Sequence, residues 1–290
     1  MVWQVLFNGL VSGSVYALMA LGYTLIYGVA RLINFAHGDI ATVGAYTFLV
    51  LLTRGRVGNL PSLLGAGVVC VVAALGVERI AYRPASRAGF RLAPVISTLG
   101  ASAVLQAAMA LVFGPESKAY PATRLTEGVS MGAVTATPVQ LATLVATVLL
   151  TAALLLSLRT TRCGQALRAV ADDPDLAQAV GINPIRVVQV AFILSGALAA
   201  CAGVAAAFDA SVRPGMGYAI GFPGFTAAVL GGIGNPAGAI LGAYLMGISQ
   251  DLAAGYVSSK WKIAYAFIVL IAVLLVRPQG ILRGRRLGAE

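Results

Sequence analysis

Polar residues punctuate this chain sparsely. Between them lie apolar stretches at roughly 5–29, 36–53, 60–82, 93–113, 136–158, 187–209, 219–235, 238–255 and 262–276. A helix that crosses a bilayer needs about 20 mostly apolar residues. Backbone groups in lipid must be satisfied within their own segment, so runs of this length predict helices. The first run has no basic leader and no small-residue cleavage pattern, and therefore predicts a span, not a signal peptide. The pair 219–235 and 238–255 is Gly-rich and broken at Gly234-Asn235-Pro236. It fits either two short helices or one helix with a re-entrant half. The expected fold is an all-α polytopic transmembrane bundle of about eight to nine membrane helices, with residues 1–290 as one membrane domain.

Composition agrees with this pattern: 59% of the 290 residues are apolar and 10% are charged. A soluble domain carries about 25% charged residues, and so few charges cannot clothe a soluble particle of this size. The net charge of +10 would suggest nucleic acid in a soluble protein. Here the charges fall between apolar runs, and orientation is the better reading. Basic residues favour the cytoplasmic side. One orientation places thirteen of the 20 basic residues inside: Arg31, Arg79, Arg83, Arg87, Arg91, Arg159, Arg162, Arg168, Arg186, Arg277, Arg283, Arg285 and Arg286. Seven remain outside, namely Arg54, Arg56, Lys118, Arg124, Arg213, Lys260 and Lys262. This predicts an outside N-terminus, a cytoplasmic C-terminus and an odd number of crossings.

The longest polar stretch on the cytoplasmic side is 159–186, RTTRCGQALRAVADDPDLAQAVGINPIR. Residues 164–171 hold helix formers with an apolar side. Asp173 suits an N-cap, Pro174 the first helical position and Asp175 the first turn, where a negative charge favours the helix dipole. Gly181 suits a helix C-cap, and Asn183-Pro184 repeats the cap-and-Pro start. Two short surface helices are expected, either as a docking surface or as a self-capped connection.

Candidate chemistry is thin. Cys70, Cys163 and Cys201 are scattered, with no metal-ligand spacing. No catalytic motif and no Walker-type phosphate loop is present, so neither metal nor cofactor nor catalytic residue is expected on this chain. The unusual polar cluster is Asn34, His37 and Asp39 in LINFAHGDIATVGAY, with His37 the single histidine. Ionisable groups in a span are costly unless they face a partner or a water-filled cavity. The cluster marks either a pathway gate or an interfacial cap. The broken segment GFPGFTAAVLGGIGNPAGAILGAY offers Gly234 and Asn235 as pathway-lining backbone, and Phe222, Phe225 and Tyr244 as walls for an apolar solute or as interfacial anchors. There is also an internal echo. Residues 22–46 and 224–244 both begin Gly-aromatic-Thr, pass an Asn-x-Ala break and end Gly-Ala-Tyr; such repeats are common in transporters.

LINFAHGDIATVGAY, LRAVADDPDLAQAVGINPIRV, GFTAAVLGGIGNPAGAILGAYLMGI and VLLVRPQGIL occur in that order. Together they resemble the permease of bacterial branched-chain amino acid ABC importers, of the LivH type, over essentially the whole chain. The resemblance implies an inner-membrane pore shared with a second, LivM-like permease. It also implies two cytoplasmic ATPase subunits that hold ATP and Mg, and a binding protein that delivers an amino acid from outside. It places the ATPase-coupling segment at Gly164, Arg168, Asp175, Leu176, Ala177, Gly181, Ile182 and Asn183, with Ala177 small for close approach to the partner. The leading Glu of the commonest coupling motif is absent, and Asp175 is the nearest acid. Related permeases for urea, short amides or sugars are the alternative, followed by an ion-coupled secondary transporter.

Overall fold

A computed structural model describes residues 2–90, 92–121, 128–132, 134–277 and 279–282. Arg91, Arg124, Arg283, Arg285 and Arg286 of the charge reading lie outside the described residues. The described chain is helical apart from one hairpin, β1 (Val129–Met131) with β2 (Val134–Ala136). The long helices are α1 (Val2–Ala30), α2 (His37–Thr53), α3 (Asn59–Val77), α5 (Ala93–Phe113), α6 (Pro138–Thr160), α9 (Pro184–Ala210), α10 (Met216–Gly231), α11 (Pro236–Tyr256) and α12 (Lys262–Val276). Short α4 (Arg83–Ser86) follows α3, while α7 (Arg162–Asp172) and α8 (Pro174–Ala179) fill the expected polar loop.

Each apolar run of the sequence becomes one helix, and the ambiguous pair resolves into two, α10 and α11. Gly231 lies against Gly238 and Ala227 against Gly242, so the two helices pack as an antiparallel hairpin. Among the described residues six helices are long and apolar enough to cross a membrane, and α10 is a shorter apolar helix. Helices α2 and α11 fall below that measure for a physical reason. Helix α2 has only 17 residues, and both helices bury Gly and Ala positions against their neighbours. Burial orders the bundle: 67% of the apolar window of α1 and of α9 is buried, against 6% for α5 and for α12. The peripheral helices present Leu64, Val68, Leu111, Val148, Ile268 and Leu275 outward, as a lipid-facing or subunit-facing surface does.

Glycine sets the spacing at the centre. A Cβ on Gly13 would lie 2.9 Å from Tyr244 Cδ1, and one on Gly9 2.7 Å from Ile248 Cα. These pairings make α1 and α11 antiparallel. Gly224 against Met19 and Gly234 near Tyr27 make α1 and α10 parallel. At the end of α3 the chain loosens into a π-turn over Glu78–Tyr82, where Arg83 N–H reaches back to Glu78 O. Pro84 lacks the N–H that would continue the helix. The buried Glu78 carboxylate is paired bidentately with Arg83, at 2.9 and 3.0 Å, which offsets the penalty of burying it.

Gly247 packs on Gly13 and Gly9 backbone, which cannot yield. Gly247→Ala is expected to destabilise the detergent-solubilised protein by about 1–3 kcal/mol. Gly67 of α3 has open space around it, so Gly67→Ala is expected to stabilise by about 0.5–1 kcal/mol. Thermal unfolding of the two variants beside the parent should move in opposite directions.

Candidate functional site

The turn between α1 and α2 is built by Asn34. Its Oδ1 accepts the Ala36 N–H at 3.1 Å, and its carbonyl accepts the His37 N–H at 3.3 Å. Before α11 the Asn235 Oδ1 accepts from both Ala237 and Gly238, at 3.1 and 3.2 Å. Both Asn-x-Ala segments thus contain an Asx turn, but Asn235 is itself the N-cap of α11, whereas Asn34 precedes the α2 N-cap, Ala36.

His37 and Asp39, two positions apart in the first turn of α2, point to different neighbours. His37 turns inward. Its Nδ1 meets Ser195 Oγ at 2.9 Å, its ring packs edge-on against Tyr23 with centroids 4.8 Å apart, and it occupies the space a side chain at Gly22 would need. Asp39 turns toward α5, where the Ser102 hydroxyl donates to its Oδ2. Gly38 between them lies against Gly217 and Gly221, and a Cβ on any of the three would press on the facing chain. The N-termini of α2 and α10 therefore meet inside the bundle.

Beside that contact is a cavity of about 220 Å³. Its walls are Tyr23, Phe35, Leu99, Tyr218, Phe222, Phe225 and Phe267, and its polar groups are Asp39, Ser102 and the glycine backbone of 38, 217 and 221. The rings are mutually packed: Tyr23 and Phe35 lie 5.8 and 5.9 Å from Phe225, and Phe222 lies 3.9 Å from Phe267. Asp39 is 6% exposed. Among the described residues no cationic side chain pairs with it.

Of the residues proposed from sequence for a pathway, Asp39, Phe222 and Phe225 thus come together. Asn34 and His37 shape the turn behind them. Gly234, at φ +92°, and Asn235 lie in the α10–α11 turn near Tyr27, at the end of the bundle. There Gly280 packs on Gly232, and Ile281 N–H bonds the Leu230 carbonyl at 2.8 Å. The break forms the α10–α11 turn, packed against residues 280–282. Tyr244 lies on the seam with α1, its hydroxyl 3.2 Å from Ser14. Sequence reasoning missed Tyr23, Phe35, Ser102, Tyr218 and Phe267. For Tyr23 the signal was in hand: it and Phe225 are the two aromatics of the Gly-aromatic-Thr echo, and they touch.

The polar loop forms as two helices with the expected caps. Thr161 accepts from Gly164 N–H at 3.1 Å. Asp173 accepts from Asp175 and Leu176 at 2.9 and 3.1 Å, and Asn183 from Ile185 and Arg186 at 3.0 and 3.4 Å. Gly181 has φ +89° with open space around it. Gly164 lets α7 sit on the last turn of α6, and Arg168 is half-buried near the Arg159 carbonyl. Ile182 is partly buried. Arg31 at the end of α1 donates to the Ala171 and Asp172 carbonyls at 3.2 Å each, capping α7. One expectation is corrected. Ala177, expected to face a partner, is 3% exposed and packs inward, whereas Leu176 and Val180 are 67% and 76% exposed.

Residues 5–276 match the family described as branched-chain amino acid transport system / permease component. The chain is 39% identical to the high-affinity branched-chain amino acid transport system permease protein BraD of Pseudomonas aeruginosa, covering 96% of this chain and 95% of the relative. It is 39% identical to LivH of Escherichia coli, over 96% and 94% of the two chains. LivM of Salmonella typhimurium is 26% identical, over 92% of this chain and 68% of LivM. Among solved structures, a chain of PsaBC from Streptococcus pneumoniae in complex with Fab shares the fold, with a TM-score of 0.52 and 15% identity over 94% of this chain and 91% of that one. With the family matched along nearly its whole length, the chain belongs to the permease components of branched-chain amino acid transport systems, a multi-span membrane protein.

Proposed function

We propose that this chain forms half of the pathway of an ATP-driven importer for branched-chain or related apolar amino acids, with ATP and Mg held by partner subunits. The relatives named for high-affinity branched-chain transport support the cargo. The likeness to LivM supports a pore made by two related permeases. The cavity beside Asp39, walled by Phe222 and Phe225, is a wet point on the route; Asn34 and His37 hold its backbone, and Gly234, Asn235 and Tyr244 serve packing and turns.

The observation that carries the reading is α8. It is capped by Asp173, seats Ala177 inward, and leaves the apolar Leu176 and, just past its end, Val180 exposed. Exposed apolar side chains on a rigid helix are what a docking groove takes. Two ATPase subunits receive this helix and its counterpart on the second permease, and a binding protein delivers the solute at the opposite end. Residues 159–186 then lie in the cytoplasm, the C-terminus lies inside and the N-terminus outside the inner membrane. In the docked loop Asp175 and Leu176 form the contact, Ala177 and Gly164 seat the helices, and Gly181, Ile182 and Asn183 turn the chain back into α9. Arg168 braces α7 against α6.

An unpaired charge in an apolar interface costs several kcal/mol. Leu176→Asp and Val180→Asp are therefore expected to reach the membrane normally yet lose about tenfold or more of both uptake and binding-protein-stimulated ATP hydrolysis. Lys118→Glu at the other end should leave coupling intact. Full coupling in both aspartate variants would make α8 a mere connection.

Orientation has its own test. Cys163 is exposed, Cys70 buried and Cys201 intermediate. In intact cells Cys163 should resist a membrane-impermeant maleimide and react once the inner face is opened; reaction from outside would reverse the orientation.

A further inference from the structure

The cavity holds a carboxylate that no cationic side chain among the described residues neutralises. Asp39 is nine-tenths buried, accepts one hydroxyl from Ser102 and meets no cationic side chain among the described residues. Buried carboxylates elsewhere in this chain are paired: Glu78 with Arg83, and Asp251 with Lys262. A buried charge without a partner is unfavourable, and one inside a membrane bundle is retained where it meets a mobile partner or water. Around Asp39 the wall is aromatic, with Tyr23, Phe35, Phe222, Phe225 and Phe267. Aromatic faces attract a cation and accept apolar carbon equally well. The volume, about 220 Å³, is room for one small solute.

Tyr218 and Gly217, in the first turn of α10, also line the cavity, and a Cβ on Gly217 would lie 2.7 Å from Asp39 Oδ1.

We propose that Asp39 is the ammonium-recognising residue of the pathway. The solute's α-ammonium pairs with the Asp39 carboxylate, and its apolar side chain lies on the aromatic wall. This rests on the transport reading above and narrows it, because urea, amides and sugars carry no ammonium to meet Asp39. The pairing is transient by construction, since the partner leaves with the cargo.

The test uses the complete transporter in lipid: this permease, its partner permease, the ATPases and the binding protein. Asp39→Asn keeps shape and removes charge. It is expected to lower L-leucine uptake at least about tenfold, as loss of a charge-assisted hydrogen bond does, with assembly intact, and Asp39→Glu should recover part of it. Parent-level uptake by Asp39→Asn overturns the assignment of Asp39 and leaves the transport reading standing. Absence of L-leucine uptake by the unaltered complex removes that reading, and this inference with it. A second measurement leaves Asp39 in place and so does not depend on the folding of its variants. Tyr218, at the cavity wall and 50% exposed, is changed to Cys in a complex whose native cysteines are replaced, without the binding protein. L-leucine and L-leucinamide, which both carry the ammonium, should slow maleimide modification of that cysteine. 4-Methylpentanoate, which has the same side chain and carboxylate but no ammonium, should not. Equal protection by 4-methylpentanoate and L-leucinamide would overturn the proposal.

Discussion

Backbone meets backbone where Gly38 of α2 crosses Gly217 and Gly221 of α10. No side chain fits between the two helices there, and lipid offers no hydrophobic drive to press them together. Their association relies on van der Waals contact that only small residues permit. The crossing fixes where two helix N-termini lie inside the bundle and which way their next residues point. His37 is sent inward to Ser195 and Tyr23, and Asp39 outward to Ser102 and the cavity. The same device spaces α1 from α11 and α10 from α11. Glycine contacts thus set the helix spacing in the interior, and buried side chains such as Leu18, Leu21, Leu25, Ile26 and Ile40 fill it.

How legible this was in the sequence depended on the physics involved. Apolar runs gave the helices to within a few residues, because lipid imposes length and composition together. The caps of the polar loop were also legible, since Asp173 and Asn183 act on neighbours two and three positions away. The Gly234-Asn235-Pro236 break has the composition of a pathway-lining segment, and it forms the α10–α11 turn, packed against residues 280–282. The buried face of a six-residue helix was not legible, because so short a segment has no periodicity to average. Ala177 was therefore assigned to the partner when it packs inward. The cavity's aromatics were hidden for a related reason: within a continuous apolar run, Tyr218 and Phe267 look like any other lipid-compatible residue.

The loop and the cavity are connected by few elements. Helix α8 follows α7 directly through Asp173, and α7 is capped by Arg31, whose backbone sits at φ +52° just past the end of α1. From Arg31 the chain passes through the Asn34 turn to His37 and Asp39 in the first turn of α2. Each joint is a hydrogen bond or a backbone turn, so few residues separate α8 from the cavity. Arg31 matters in this path because its guanidinium holds two carbonyls at the C-terminus of α7, where a cation also suits the helix dipole.

An unpaired Asp39 also fits what a transport site must avoid. A cationic side chain beside it would satisfy the carboxylate permanently, and an arriving ammonium would have to displace that partner. A site with several strong polar groups would hold the solute too long to release it. One carboxylate, one hydroxyl and a soft aromatic wall give a contact strong enough to recognise an ammonium and weak enough to let it go. Asp39 itself lies in the first turn of α2, where the helix N-terminus favours its negative charge while no solute is present. The charge is thus stabilised by backbone that does not compete with the cargo, and the glycine crossing that brings α10 against α2 keeps that backbone in place.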